Sequence, residues 1–184
     1  MHKFDRVNDS PLEPHVCGIE ESALPALPRK PLRLVLDQVR SAFNTGALFR
    51  TGDAAGVDRI YLVGLTPHPP LAQLEKTALG ATTYVPWRHR ATANEVIAEL
   101  QADGYSLVSL DNGPMAVDVW DFCWPAKTAL VVGNEVEGVS QEMLEASVGR
   151  VNIPMFGYKR SLNVTTAAGI ALYEYLRTFR CGQG

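Results

Sequence analysis

ALVVGNEVEGVS, residues 129–140, is the stretch on which the reading of this chain turns. It opens with an apolar, partly β-branched run that fits a buried strand, turns between Gly133 and Gly138, and reaches Val139 and Ser140, where a helix can start. The glycine spacing approaches the phosphate-cradling G-x-x-x-x-G-K-[ST] loop. Val139, however, stands where the lysine must be, and Glu135 and Glu137 put negative charge into the cradle, which argues against a nucleoside triphosphatase. Glu135 nevertheless lies at the carboxyl end of a strand, where open α/β sheets gather ligands. A carboxylate there favours a cation or a hydroxyl-bearing ligand.

The same texture repeats on either side. Apolar runs at 32–36, 60–63, 83–85, 106–110, 129–132 and 151–153 read as strands, and helical patterns at 44–55, 70–79, 92–103, 140–146 and 163–179 lie between them. Strands alternating with helices mark βαβ units. The expected architecture is therefore an α/β domain with a mostly parallel six-stranded sheet and helices on both faces. Asn94 and Ser140 stand at two of the helix starts and Gly104 at a helix end. In the last helix Val164, Ala168, Ala171, Leu172, Tyr175, Leu176 and Phe179 form an apolar face, which packs on the sheet or on a second subunit. Residues 1–31 hold five of the twelve prolines with mixed charge and no sustained period, so a disordered arm is expected there, ahead of a domain at 32–184.

Composition narrows the function. With 184 residues, 46% of them hydrophobic and 20% charged, the chain can bury a core without a disulfide or metal staple. Seventeen Lys and Arg against twenty Asp and Glu give a net charge of -3, so any nucleic acid must be held by local patches. No apolar stretch approaches the roughly 20 residues of a membrane span, and the charged N-terminus lacks the apolar core of a secretory signal, so a cytoplasmic location is expected. Cys17, Cys123 and Cys181 are widely spaced, and His2, His15, His68 and His89 show no ligand spacing; no metal centre is expected.

Two further segments carry more special residues than folding asks for. In LDQVRSAFNTGALFRTGDAAGV (36–57) Asn44 can cap a helix, Gly46 and Gly52 can let helices approach, and Arg50 sits among Ala47, Leu48, Ala54 and Ala55. Those neighbours suggest a helix buried on most sides, in which a cation needs an anionic partner. In VNIPMFGYKRSLNVTTAAGI (151–170) a strand runs through a loop with Pro154, Gly157, Lys159 and Arg160 to Ser161 and Asn163, both able to cap the last helix. Neither G-x-S-x-G nor G-x-G-x-x-G occurs, so a serine hydrolase and a dinucleotide-binding fold lose their main support.

In order and spacing, NTGALFRT (44–51), VVGNEVEGVS (131–140) and IPMFGYKRSLNVTTAAGI (153–170), with EKTALGA (75–81) between the first two, resemble the SpoU branch of the SPOUT RNA methyltransferases, the TrmH-type 2'-O-ribose enzymes of tRNA and rRNA. The resemblance implies a C-terminal deep trefoil knot and S-adenosyl-L-methionine (AdoMet) as cofactor. It carries over Leu110, Asp111, Gly133, Asn134, Gly138, Ile153, Met155 and Leu162 as cofactor contacts. Arg50, Asn44, Glu135, Ser161 and Asn163 become the catalytic set, with Arg50 stabilising a nascent ribose alkoxide and Glu135 orienting Arg50 or the substrate. A homodimer acting on RNA is implied, and Arg29, Lys30, Arg33, Arg88, Arg90, Lys159 and Arg160 are the phosphate-contact candidates. Two other functions remain open: a knotted RNA-binding or assembly protein that no longer transfers methyl groups, and a methyltransferase for a small molecule or protein.

Overall fold

Strand β1 (Lys30–Asp37) carries the architecture in its alternation. Leu32, Leu34 and Leu36 enter one apolar cluster and Val35 another, so both faces of the strand are buried, as a central strand of a parallel sheet requires. The protein is described here by a computed structural model over residues 29–181. The expected arm lies outside the described residues except at its end, where β1 starts at Lys30, two residues before the expected strand.

Around β1 stand β2 (Val57–Val63), β3 (Trp87–Arg90), β4 (Ser106–Leu110), β5 (Val117–Asp118), β6 (Thr128–Val132) and β7 (Gly149–Asn152). They form one sheet in the order β3-β2-β1-β6-β4-β7-β5, parallel at every pairing. The sheet thus has seven strands among the described residues, not six. The expected strand at 83–85 is also corrected: Ala81–Tyr84 form a helical turn, and the strand starts at Trp87. The β-branched composition of Thr82, Thr83 and Val85 suggested a strand, but Pro86 drives Val85 into an extended conformation and ends the turn. Strand β5 has only two residues, too few for any periodicity to betray it.

The helices are α1 (Ala42–Ala54), α2 (Ala72–Ala78), α3 (Ala81–Tyr84), α4 (Ala93–Ala102), α5 (Gln141–Ala146) and α6 (Val164–Cys181). α1, α2, α3 and α6 contribute to one core cluster and α4 and α5 to the other, so the sheet is covered on both faces. The apolar face of α6 belongs to this core: Ala168, Ala171, Leu172 and Tyr175 are buried. Tyr175 meets Trp124 edge-on at 5.9 Å, and its hydroxyl donates to the carbonyls of Pro31 and Ala126. Thr92 starts α4 with a capping box to Glu95, two residues before the expected Asn94. Because all strands are parallel, their carboxyl ends share one rim. The chain builds β1, β2 and β3 outward, then crosses to place β4 beyond β6, so the order reverses beside β1 and opens a crevice on that rim.

Candidate active site

The crevice is shaped by the turn after β6. There Asn134 and Gly138 bridge, and a Cβ on Gly133 would lie 2.2 Å from the Gly138 carbonyl carbon and 2.3 Å from the Val139 nitrogen. Only glycine lets the two backbones pass this closely. Asn134 donates its amide to the Gln38 carbonyl at 2.9 Å, and the Ser140 N–H donates to buried Asp37 at 2.7 Å, fastening this turn to the loop after β1.

Glu135 closes the fastening. Its carboxylate accepts from the N–H groups of Arg40 (3.0 Å) and Ser41 (3.3 Å) and from the Asn44 side-chain amide at 2.8 Å. Burial pushes the Glu135 carboxyl up, but these donors outweigh it and hold the group below the usual glutamate range. Asn44 has this freedom because Ser41 caps α1: its hydroxyl accepts from the Asn44 N–H, so the side chain of Asn44 points into the site instead. The Asn44 carbonyl oxygen accepts from the Asn163 amide at 3.3 Å, while Asn163 caps α6 by accepting from the Thr165 N–H at 2.8 Å. Asn163, Asn44 and Glu135 therefore form one hydrogen-bonded row drawn from three separate segments.

Behind the row lies a cavity of about 560 Å³, within the size range of small-molecule sites. All eight residues expected to touch a cofactor line it: Leu110, Asp111, Gly133, Asn134, Gly138, Ile153, Met155 and Leu162. Glu135, Ser161 and Asn163 line it as well, and Asn44 joins through its bonds to two of them. Leu110, Ile153 and Leu162 offer apolar surface, whereas Asp111, Glu135 and Glu137 supply carboxylates for hydroxyl or ammonium groups.

Arg50 is elsewhere. It is exposed, has no ion pair among the described residues, and lines a different cavity of about 570 Å³ with Ala47, Thr51 and Ala54 of α1, Lys76 and Thr77 of α2, Leu79 and Tyr173. The expectation of a buried Arg50 with an anionic partner is corrected, as is the pairing of Glu135 with it. The helix buries Thr45, Gly46, Leu48, Phe49 and Gly52, leaving Ala47, Arg50, Thr51 and Ala54 as an outward row. Small alanines on two sides of a helix cannot tell a buried face from an open one.

The phosphate candidates separate in the same way. Arg33 is 7% exposed, donates to Asp58 at 2.9 Å and to Asp103, and lies over the Tyr105 ring, so it is removed from that set. Arg29 is held by Asp53 and the Tyr84 carbonyl, and Arg88 and Arg90 both by Glu99. Arg29, Lys30 and Arg33 also sit at the amino end of β1, opposite the cavity. Lys159 and Arg160 are exposed beside it. Asp37 and the backbone donors of Arg40 and Ser41 are participants that sequence reasoning missed. An aspartate closing an apolar strand was their one available signal.

The family model of the SpoU rRNA Methylase family matches residues 31–173. The chain is 30% identical over 146 residues to the tRNA (guanosine(18)-2'-O)-methyltransferase of Escherichia coli, covering 79% of this chain and 63% of that one. It is 33% identical over 147 residues to the 23S rRNA (guanosine-2'-O-)-methyltransferase RlmB of Vibrio vulnificus, covering 80% and 59%. It thus spans less than two thirds of the length of these curated relatives. Among solved structures, the A. aeolicus TrmH/SpoU tRNA modifying enzyme superposes with a TM-score of 0.77 at 29% identity, over 87% of this chain and 82% of that one. The SpoU methyltransferase AviRb from Streptomyces viridochromogenes, in complex with AdoMet, gives 0.77 at 26%, over 88% and 65%. With a family match that spans residues 31–173, this chain belongs to the SpoU rRNA methylase family.

Proposed function

We propose that the chain transfers the methyl group of AdoMet to a ribose 2'-hydroxyl of tRNA or rRNA, working as a homodimer in the cytoplasm. The observation that carries this reading is the Asn163–Asn44–Glu135 row at the mouth of a cavity built by three loops. The residues present suit AdoMet. Leu110, Ile153 and Leu162 would take the flat adenine, the backbone around Gly133 and Gly138 its polar edge, and Asp111 and Glu137 the hydroxyl and ammonium groups. Bound there, the cofactor supplies an electrophilic methyl group on a sulfonium. The trefoil knot implied by the family resemblance is supported by the way loops after β4, β6 and β7 meet at one place, with Asn112 donating to the Arg160 carbonyl.

The row would position the ribose, since amides fixed on both sides present defined donors and acceptors to a hydroxyl. Arg50 would stabilise the alkoxide that forms, while the proton passes to a neighbouring group or an RNA phosphate; guanidinium itself keeps its protons far above neutral pH. One chain holds Arg50 away from the row. A second copy, docked on the exposed Tyr173 and Leu79 around Arg50, would bring that guanidinium to its partner's cavity. RNA substrates named for the relatives support the cytoplasmic assignment. Among the described residues no helix is long and apolar enough to cross a membrane, and no His, Cys, Asp and Glu grouping could hold a metal.

The test is transfer of labelled methyl from AdoMet to bulk RNA, followed by digestion to nucleosides. Label in 2'-O-methyl nucleosides is expected. Label in bases, in protein or in small molecules overturns the reading, and RNA binding without transfer points to an assembly role.

A further inference from the structure

Between Met155 and Ser161, both of which line the cofactor cavity, the chain bows outward into solvent. Phe156 and Tyr158 on this bow are 97% and 98% exposed, unusual for large rings with so much apolar surface to hide. Gly157 separates them. Lys159 and Arg160 follow, exposed and without an ion-pair partner among the described residues. The bow is tied at its far end, where the Arg160 carbonyl accepts from Asn112. Two bare rings and two unneutralised cations at the lip of a cavity make a surface that is apolar and positive at once.

Resting on the reading above, we propose that Phe156 and Tyr158 stack on unpaired bases beside the target nucleotide, while Lys159 and Arg160 hold the flanking phosphates. The charge distribution favours RNA as the occupant over a protein. Asp111, Glu135 and Glu137 make the cavity interior negative and repel phosphate, so the backbone must stay at the rim where the cations are, and a nucleoside enters alone. Aromatic faces interleaved with cations are how single strands are gripped, because every base has a π-face and every link a charge. A duplex offers no free base face to the rings. The bow therefore selects loops and unpaired segments.

The experiment uses the full chain with AdoMet and fluorescein-labelled oligoadenylate, oligouridylate and their duplex as probes, read by anisotropy. Phe156→Ala with Tyr158→Ala is expected to raise the single-strand Kd on the order of 5- to 100-fold. Duplex binding, AdoMet affinity and melting temperature are expected to stay unchanged. Leucines at both positions, which keep apolar bulk without a π-face, are expected to weaken binding as alanine does, and Tyr158→Phe to restore it. Lys159→Gln and Arg160→Gln should each reduce the salt slope of single-strand binding by about 0.7. An unchanged Kd in the double alanine variant, leucine binding as tightly as the native rings, or a changed oligomeric state by light scattering overturns the proposal; the last would assign the rings to a contact between copies. The methyl-transfer assay fails or succeeds separately. Ring-dependent RNA binding without transfer would remove the enzymatic reading alone, and transfer with ring-independent binding would remove this proposal alone.

Discussion

The amide of Asn44 donates to a carboxylate oxygen of Glu135 at 2.8 Å although the two residues are 91 positions apart. This bond joins the first helix to the turn after β6, and the Asn163 amide extends it to the start of α6. Each group has its place fixed by the next, so the row is set before any ligand arrives. Positioning of that kind needs every acceptor to remain present.

Glu135→Ala removes the acceptor for three donors at once and should lower methyl transfer on the order of 10²-fold, the usual cost of a misplaced reacting group. Glu135→Gln keeps one carbonyl for Asn44 but turns an N–H group toward backbone donors, and should fall between the two. The carboxyl is held below the usual glutamate range, so its contribution to loop order is complete above that range and is lost as pH falls below it. Amide exchange of residues 40–44 across acid pH checks this in the native chain. Protection that stays constant from neutral pH until the whole fold opens in acid would contradict it.

Much of this arrangement was readable before any coordinates. The residues that line the cavity were named by the family resemblance, and Glu135 also by its place at the carboxyl end of a strand, where a parallel sheet gathers its loops. Asn44 was expected to cap the first helix, but the helix begins two residues earlier than the 44–55 pattern suggested, and Ser41 takes that place by accepting from the Asn44 N–H. The partners of Arg33 lie 25 and 70 residues away, a separation over which spacing carries no signal, and so its charge looked free for RNA. Arg50 was misplaced for a related reason: alanine fits the inner and outer faces of α1 equally well.

Asp37 offers a test of the hidden fastening. Fully buried, it accepts from the Ser140 N–H at 2.7 Å where α5 begins, and its second oxygen has no partner among the described residues. Asp37→Ala leaves that N–H unsatisfied, which costs about 1–3 kcal/mol and should lower the melting temperature by several degrees. Asp37→Asn retains an oxygen acceptor and should cost less. Equal melting temperatures for the native chain and the alanine variant would show that the turn does not depend on this bond.

Alkaline stability should report on Tyr175. Burial, with Tyr105 adding, pushes its phenol up to about 12, and its hydroxyl donates to two carbonyls, of Pro31 and Ala126. The folded state keeps this proton longer than the unfolded chain does. Its stabilisation is therefore complete below about pH 10 and is lost as pH rises toward 12. Tyr175→Phe should lower stability at neutral pH by about 1–2 kcal/mol, through two lost acceptor contacts, and flatten the decline above pH 10. Denaturant titrations at neutral and alkaline pH measure both; a variant with an unchanged alkaline slope would assign that slope to other groups.

Under the proposed function, Arg50 tells whether one chain or two would make the site. Being exposed and without an ion pair among the described residues, it can be replaced by alanine with less than about 0.5 kcal/mol of stability change, yet transfer should fall on the order of 10²- to 10³-fold if its charge meets the alkoxide. Arg50→Lys should recover little, because a point charge lacks the planar fork. The sharper experiment mixes two inactive proteins, Arg50→Ala and Glu135→Ala, after unfolding and refolding them together. If the guanidinium of one copy serves the row of the other, each mixed dimer contains one site in which both residues are native, and activity returns. If Arg50 instead swings round to the row of its own chain, both sites of a mixed dimer stay defective and the mixture remains as inactive as its components. Activity in the mixture therefore separates a shared site from a self-contained one without reference to which RNA is modified.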